Sequence, residues 1–301
     1  MLEGDLLALF ISVVIIPAAL LLAVFAKTIE SRVMALSLAV LVTGKLWRVR
    51  SVVDVHIEPW MAAVFGIHNL PVLIAALVVV AGYCGVAFAT VPRRFFWRGI
   101  LPLAVGLSIV TLFAFRSAYG DAFSPYLSQG GLDSFAEVLV WTLPLLVVLV
   151  ASLAIVPPAH SAWRRGRSNA PARVAAGSTA ALGILGICYV GAKGGYLIVA
   201  TIDDNAASLG FLKTAGLVTL PLAFLSLGAA VFVPPLMRLS ARIRRFLRLL
   251  ATRRNPVLAP HLPFSDGRSL WALSADPVRA HMAAVGAVDE VILDAEQQPT
   301  T

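Results

Sequence analysis

Lys45, Arg48 and Lys193 are the residues of this chain whose type and position could do chemistry. Lys45 and Arg48 are three apart and share a face of any helix that carries them. Lys193 stands among Gly191, Gly194 and Gly195, which leave room for a ligand or a second backbone. All three lie within or at the end of long apolar runs. A charge at the bilayer centre costs about 2.5 kcal/mol or more, so an intramembrane ionisable residue is by default a functional candidate. Together they would line a cationic site for a small anionic ligand, either a substrate or a lipid headgroup. The competing account is snorkelling. Lys45 lies about 7 Å before Arg50 along a helix, where a long side chain reaches water or headgroups without any cavity.

Other chemistry finds little support. His56, His68, His160, His261 and His281 include no pair with metal-ligand spacing on one helix, and none lies in an apolar run with a carboxylate one turn away. No carboxylate lies deep in such a run, so a proton relay of acids is missing. A retinal-type photoreceptor needs a lysine in the middle of its seventh helix, and Lys213 precedes that position. Cys84 and Cys188 both lie in apolar runs, which argues for buried thiols and against a disulfide framework. The expectation is a protein that is not an enzyme, with no catalytic residue, metal or cofactor.

The elements that hold these residues follow from composition. The chain is 301 residues, 59% hydrophobic and 13% charged, with mean hydropathy +0.88. Soluble domains carry about 25% charged residues, so the solvent here is lipid. Lipid offers the backbone no hydrogen bonds, which restricts spanning segments to helices or a closed barrel, and continuous rather than alternating apolar runs select helices. Seven runs qualify: Leu6 to Ala26, Val33 to Arg50, Leu70 to Val91, Gly99 to Phe115, Val138 to Val156, Val174 to Ala200 and Thr214 to Leu236. At about 1.5 Å per residue each can cross a hydrocarbon core of about 30 Å, the second and fourth only just. The expected fold is all-α, a polytopic bundle of seven transmembrane helices. Gly191 with Gly195, and Gly82 with Gly85, are spaced to let helices approach closely. Pro17, Pro71, Pro102, Pro144 and Pro221 offer breaks of the kind transporters use, but proline is common in membrane helices. No internal repeat stands out.

Charge orients the bundle. Lys27 and Arg32, then Arg93, Arg94 and Arg98, then Arg164, Arg165, Arg167 and Arg173, then the arginines of 238–254 fall on one side, with Glu30 as their single acid. Glu3, Asp5, Asp54, Glu58, Asp121, Asp133, Glu137, Asp203 and Asp204 fall on the other, with Arg48, Arg50, Arg116 and Lys213. The positive-inside rule then places the N-terminus outside and the C-terminus in the cytoplasm of a plasma-membrane protein. The acidic Met1 to Asp5 makes the first run an anchor, since a secretory signal begins with basic residues.

Three regions follow: a transmembrane domain 1–237, a juxtamembrane helix 238–256 and a small cytoplasmic tail 257–301, partly disordered. In the second, Leu239, Ile243, Phe246, Leu247 and Leu250 recur at helical spacing while arginines take the other side. This basic amphipathic helix should lie on the membrane, with Arg238, Arg242, Arg244, Arg245 and Arg248 meeting anionic lipids at about 1 kcal/mol each. An anionic membrane surface also accounts for the sequence pI of about 10.1 without nucleic acid as a partner. In the tail, Asp276-Pro277 reads as an N-cap followed by proline at the first helical position, with Val278, Met282 and Val285 on one face. The tail is too small to hold a core alone, so it must pack on the membrane domain or a partner, or stay partly disordered.

Gly66-Ile-His-Asn-Leu-Pro71 opening the third run, Leu185-Gly-Ile-Cys-Tyr-Val-Gly-Ala-Lys193 in the sixth, and Ser269-Leu-Trp-Ala-Leu273 with Val288-Asp-Glu-Val-Ile-Leu293 in the tail resemble an actinobacterial family of seven-helix membrane proteins. The resemblance implies a small-molecule transporter with a C-terminal cytoplasmic domain of unknown role, shortened in this chain. Two functions remain: a transporter or ligand-binding protein using Lys45, Arg48 and Lys193, or a sensor that docks a cytoplasmic regulatory protein through its C-terminal region. The resemblance tips the sequence reading slightly toward transport.

Overall fold

The computed structural model describes residues 3–46, 53–65, 70–117, 135–166, 169–202, 208–254 and 267–297, and among these every regular element is helical. In chain order they are α1 (Glu3–Phe25), α2 (Ile29–Leu46), a π-helical turn (Val53–Ile57) leading into α3 (Glu58–Phe65), and α4 (Leu70–Thr90). After a short turn, Arg93–Phe95, and a second π-helical turn, Phe96–Ile100, come α5 (Leu101–Ser117), α6 (Phe135–Arg165), α7 (Ala170–Ile202), α8 (Ser208–Arg254), α9 (Gly267–Leu273) and α10 (Pro277–Gln297).

Among the described residues, five helical stretches are long and apolar enough to cross a membrane: Leu73–Thr90, Arg93–Phe115, Phe135–Arg165, Ala170–Ala200 and Leu209–Arg254. Ser12–Phe25 adds a shorter apolar helix. The second expected span corresponds to α2, which runs from Ile29 to Leu46; positions 47–50 lie outside the described residues. Large apolar side chains cover the outer faces, with Phe113 69% exposed, Phe211 75% and Leu225 66%. Contiguous apolar surface on this scale is what lipid, not water, tolerates.

The chain divides into two compact units, Met1–Val233 and Pro234–Thr301. In the first, α6 packs against α4, α5 and α7, while α2 packs between α1 and α4. Leu38, Leu41, Tyr83, Val86, Val148, Ile155, Leu182 and Leu227 are buried in one cluster that draws on α2, α4, α6, α7 and α8.

Small residues set these distances. A Cβ at Gly82 would collide with Leu41 Cγ, and one at Gly85 with Ser37 Oγ, so the Gly82/Gly85 pair seats α2 on α4. On α7 the close approach is made at Gly183, whose Cβ would lie 2.7 Å from Val156 Cγ2 and 3.1 Å from the Ser152 carbonyl oxygen. The Gly191/Gly195 pair expected to do this does not: Gly191 faces open space, and Gly195 meets only Leu212 at 3.4 Å. Hydroxyls inside the helices bond their own backbone. Ser37, Thr43, Thr90, Thr111, Thr142, Thr179 and Thr219 each donate to the carbonyl four residues back at 2.7–2.9 Å.

The turns at the basic clusters are short. Thr28 Oγ1 accepts from Ser31 N at 3.2 Å to cap α2, and Arg32 Nε donates to the Ala26 carbonyl at 2.9 Å. Asn169 Oδ1 accepts from Ala172 N at 3.3 Å to start α7, where Arg173 lies 5.0 Å from the Trp163 ring centre.

Gly183→Val should therefore cost about 1–3 kcal/mol of resistance to unfolding in a detergent titration. The same change at Gly191 should cost less than about 0.5 kcal/mol. Equal losses would show that α7 is not seated at Gly183.

Candidate functional site

The C-terminal unit carries the most specific polar geometry. Its segment of α8 meets α9 and α10 on a core of Leu249, Leu270, Leu273 and Ala280, flanked by Phe246, Leu250, Ala283 and Ala284. Two of the five arginines expected at lipid, Arg242 and Arg245, bond to carbonyls beside this core. Arg242 Nη2 donates to the Trp271 carbonyl at 3.1 Å, and its guanidinium carbon lies 4.1 Å from the Trp271 ring centre. Arg245 Nε donates to the Ser274 carbonyl at 2.8 Å. Ser274, fully buried, adds a bond from Oγ to the Trp271 carbonyl at 2.7 Å, and Phe246 meets the Trp271 ring edge-on at 5.3 Å. These carbonyls belong to the C-terminal end of α9, where the backbone lacks its own donors and the helix dipole favours cations. Bonds to a charged donor are the strong class, so the pair forms a clamp rather than incidental contacts.

The tail thus has a partner not foreseen in the sequence, the basic helix itself. The N-cap was legible: Asp276 Oδ1 accepts from Val278 N at 2.9 Å and Arg279 N at 3.1 Å, and α10 starts at Pro277. The inward face was not. Ala280 and Ala287 are buried while Val278 and Met282 stand 68% and 65% exposed, because short side chains are what let α10 approach α8 and α9. Arg238, Arg244 and Arg248 remain exposed, beside an apolar stripe of Leu236, Leu239, Ile243 and Leu247 that is also exposed.

The candidate ligand site is described only in part. The backbone of Lys45 belongs to α2, while its side chain and all of Arg48 lie outside the described residues. Lys193 is half-buried on α7, about 14 Å along the helix before Ile202. Its stem passes over Gly216 of α8, with Cε 3.4 Å from where a Cβ would sit, and its ammonium lies 5.7 Å from the ring centre of buried Tyr196. The glycine that makes room for Lys193 is therefore Gly216, across the helix pair, rather than its sequence neighbours. A cation held over an aromatic face with its stem in apolar contact is the geometry of a snorkelling lysine, and equally of an anion-binding one.

Sequence reasoning also missed a buried polar group within the first unit, formed by Tyr83, Ser152 and Gly186. Tyr83 and Ser152 have no exposed surface, and a Cβ at Gly186 would collide with Ser152 Oγ and lie 3.0 Å from the Tyr83 hydroxyl. The available signal was the pairing of Gly183 with Gly186 on α7, three apart as Gly82 and Gly85 are on α4.

Fold and surface together fit a helical membrane protein with several apolar helices. The chain matches no family model, no curated protein and no solved structure, so its function rests on its own residues.

Replacing Arg242 by Ala should destabilise the C-terminal unit by about 1–3 kcal/mol, the scale of bonds to a charged group. Amide exchange across 270–288 would accelerate while exchange in α4 and α6 would not. Unchanged protection over 270–288 would show that the clamp is not what holds the unit.

Proposed function

We propose that this chain is a seven-span plasma-membrane protein, N-terminus outside and C-terminus cytoplasmic, whose C-terminal unit docks a cytoplasmic regulatory protein. The observation that carries this reading is the arginine clamp. Two cations that a bare topology signal would leave in the headgroups are spent on closing a small folded unit. A stop-transfer flank needs charge alone, whereas this segment has a core, a capped helix and buried Ser274. The orientation draws support from the charge bias of the loops and from exposed Phe95 and Trp97 beside exposed Arg93, Arg94 and Arg98, the mixture that favours an interface on the basic side. On that side Arg238, Arg244 and Arg248, with the Leu236 to Leu247 stripe, would rest on anionic lipid and leave α10 to face the partner.

The docking reading is tested by recovering the tagged protein from its own host with and without residues 257–301. The intact protein should bring down a stoichiometric cytoplasmic protein, and the deletion should lose it while the membrane domain stays monodisperse. Capture that survives the deletion would overturn the reading.

Transport of a small anionic solute is the second reading, favoured by Lys193 and by the family resemblance of the sequence. Its requirement is sharper. Lys193→Ala should abolish anion binding or flux in reconstituted vesicles, and unchanged flux would remove Lys193, and with it this reading's best-placed cation, from the account.

A further inference from the structure

α10 turns its small residues inward and its large apolar ones outward. Ala280 and Ala287 are buried and Ala283 and Ala284 flank the core, while Val278, Met282, Val285 and Val288, three or four residues apart, are 68%, 65%, 39% and 42% exposed. At 100° per residue, Val278, Met282 and Val285 lie directly opposite the alanines. A stripe of large apolar side chains on an amphipathic helix is the kind of surface that a second helix covers.

The residues beside the stripe decide which helix. Arg279, Gly286 and Glu290 are seven and four residues apart and form one row along a single flank. Arg279 and Glu290 are both exposed, and about 16 Å of helix separates them, too far for an ion pair within one copy. Arg279 has Asp276 at 3.5 Å in its own copy, and a guanidinium carries donors enough for a second carboxylate. Gly286 lies between the two charges, and no described atom comes within 4 Å of where its Cβ would stand. Its own unit thus gives no reason for a residue that weakens a helix interior.

Opposite charges at the two ends of one flank make that flank complementary to itself when reversed. About a two-fold axis between positions 284 and 285, an antiparallel pair sets Arg279 of each copy against Glu290 of the other, and Gly286 against Ala283, which lets the backbones approach. Asp289, exposed where the stripe ends, adds to the negative end. A parallel pair would instead bring this flank to the opposite one, where His281 and Val288 stand, and would form no such ion pair. One helix pair is a small interface, but two copies held in one membrane meet at a high effective concentration.

We infer that α10 is a self-association helix: two copies of this protein pair antiparallel through Val278, Met282 and Val285, with Arg279 of one on Glu290 of the other and Gly286 at the crossing. The inference stands without the docking reading. A cytoplasmic protein would meet the α10 pair rather than a lone helix, and failure of either leaves the other in place.

The test is oxidative disulfide cross-linking of the purified full-length protein in vesicles, with the wild type, which keeps Cys84 and Cys188, as baseline. Val285→Cys, beside the axis, should give a covalent dimer several-fold above that baseline. Val278→Cys should not, because its two copies lie about 20 Å apart in the antiparallel pair. Equal cross-linking at both positions would mean a parallel pair, and none at either would mean that no second copy covers the stripe; both results overturn the inference. Arg279→Glu and Glu290→Arg should each lower the Val285→Cys dimer several-fold, and the two together should restore it, whereas absence of rescue would overturn the antiparallel direction. A Val285→Cys thiol that stays monomeric, reacts with a water-soluble maleimide in detergent and is shielded in vesicles would assign the stripe to lipid, which also overturns the pair.

Discussion

Lipid supplies no hydrogen bonds to the backbone, and the rest of this structure follows from that. Every N–H and C=O crossing the apolar region must find a partner within its own helix. The intrahelical hydroxyls reinforce the pattern, since Thr43, Thr90, Thr111 and the others return their protons to a carbonyl one turn back. Prolines break it locally: Pro157 and Pro158 in α6 have no N–H to offer the carbonyls of Leu153 and Ala154. With lipid as apolar as the side chains, hydrophobicity cannot pull helices together, and the work passes to close packing. That is why the informative contacts are glycines against Leu41, Ser37 and Val156 rather than a conventional core of large residues alone.

The C-terminal unit is held together differently. Its core is small, four buried residues with a flank of Phe246, Leu250 and two alanines, and apolar burial on this scale does little by itself. Arginine makes up the deficit. Arg242 contributes its guanidinium plane to Trp271 and an N–H to the carbonyl of the same residue, while Arg245 binds the carbonyl of Ser274. A lysine could match the charge but not the flat face that stacks on Trp271. The arginine-rich composition of 238–254 therefore serves two purposes at once, folding through Arg242 and Arg245 and surface charge through Arg238, Arg244 and Arg248.

Helices were legible in the sequence because periodicity and hydropathy are local properties. Each apolar run expected to span falls on a helix in its described part, and the Asp276 cap begins α10 where its side chain can reach two backbone amides. What the sequence did not disclose was pairing. Gly191 and Gly195 have the spacing of a packing motif and are not used as one, whereas Gly183, with only spacing of three to Gly186, meets a neighbouring backbone. Spacing names the face of one helix; the face that another helix presents to it is a non-local fact. The same limit hid the clamp, since Trp271 and Ser274 lie 29 residues beyond Arg242 and Arg245. The candidate ligand site was legible only as a set of residue types, of which the structure places Lys193 and its contacts with Tyr196 and Gly216.

Lys193 and the Tyr83–Ser152 pair mark opposite ways of keeping polar groups in an apolar bundle. Lys193 is long enough to move its charge along the helix surface, so its stem can be apolar contact while its head seeks an aromatic face or water. A hydroxyl on a serine has no such reach, and a tyrosine held at 0% exposure has no route to the interface. Their polarity must be met where they stand. A polar group at the centre of the bundle depends on what its immediate neighbours supply, whereas one that can snorkel does not.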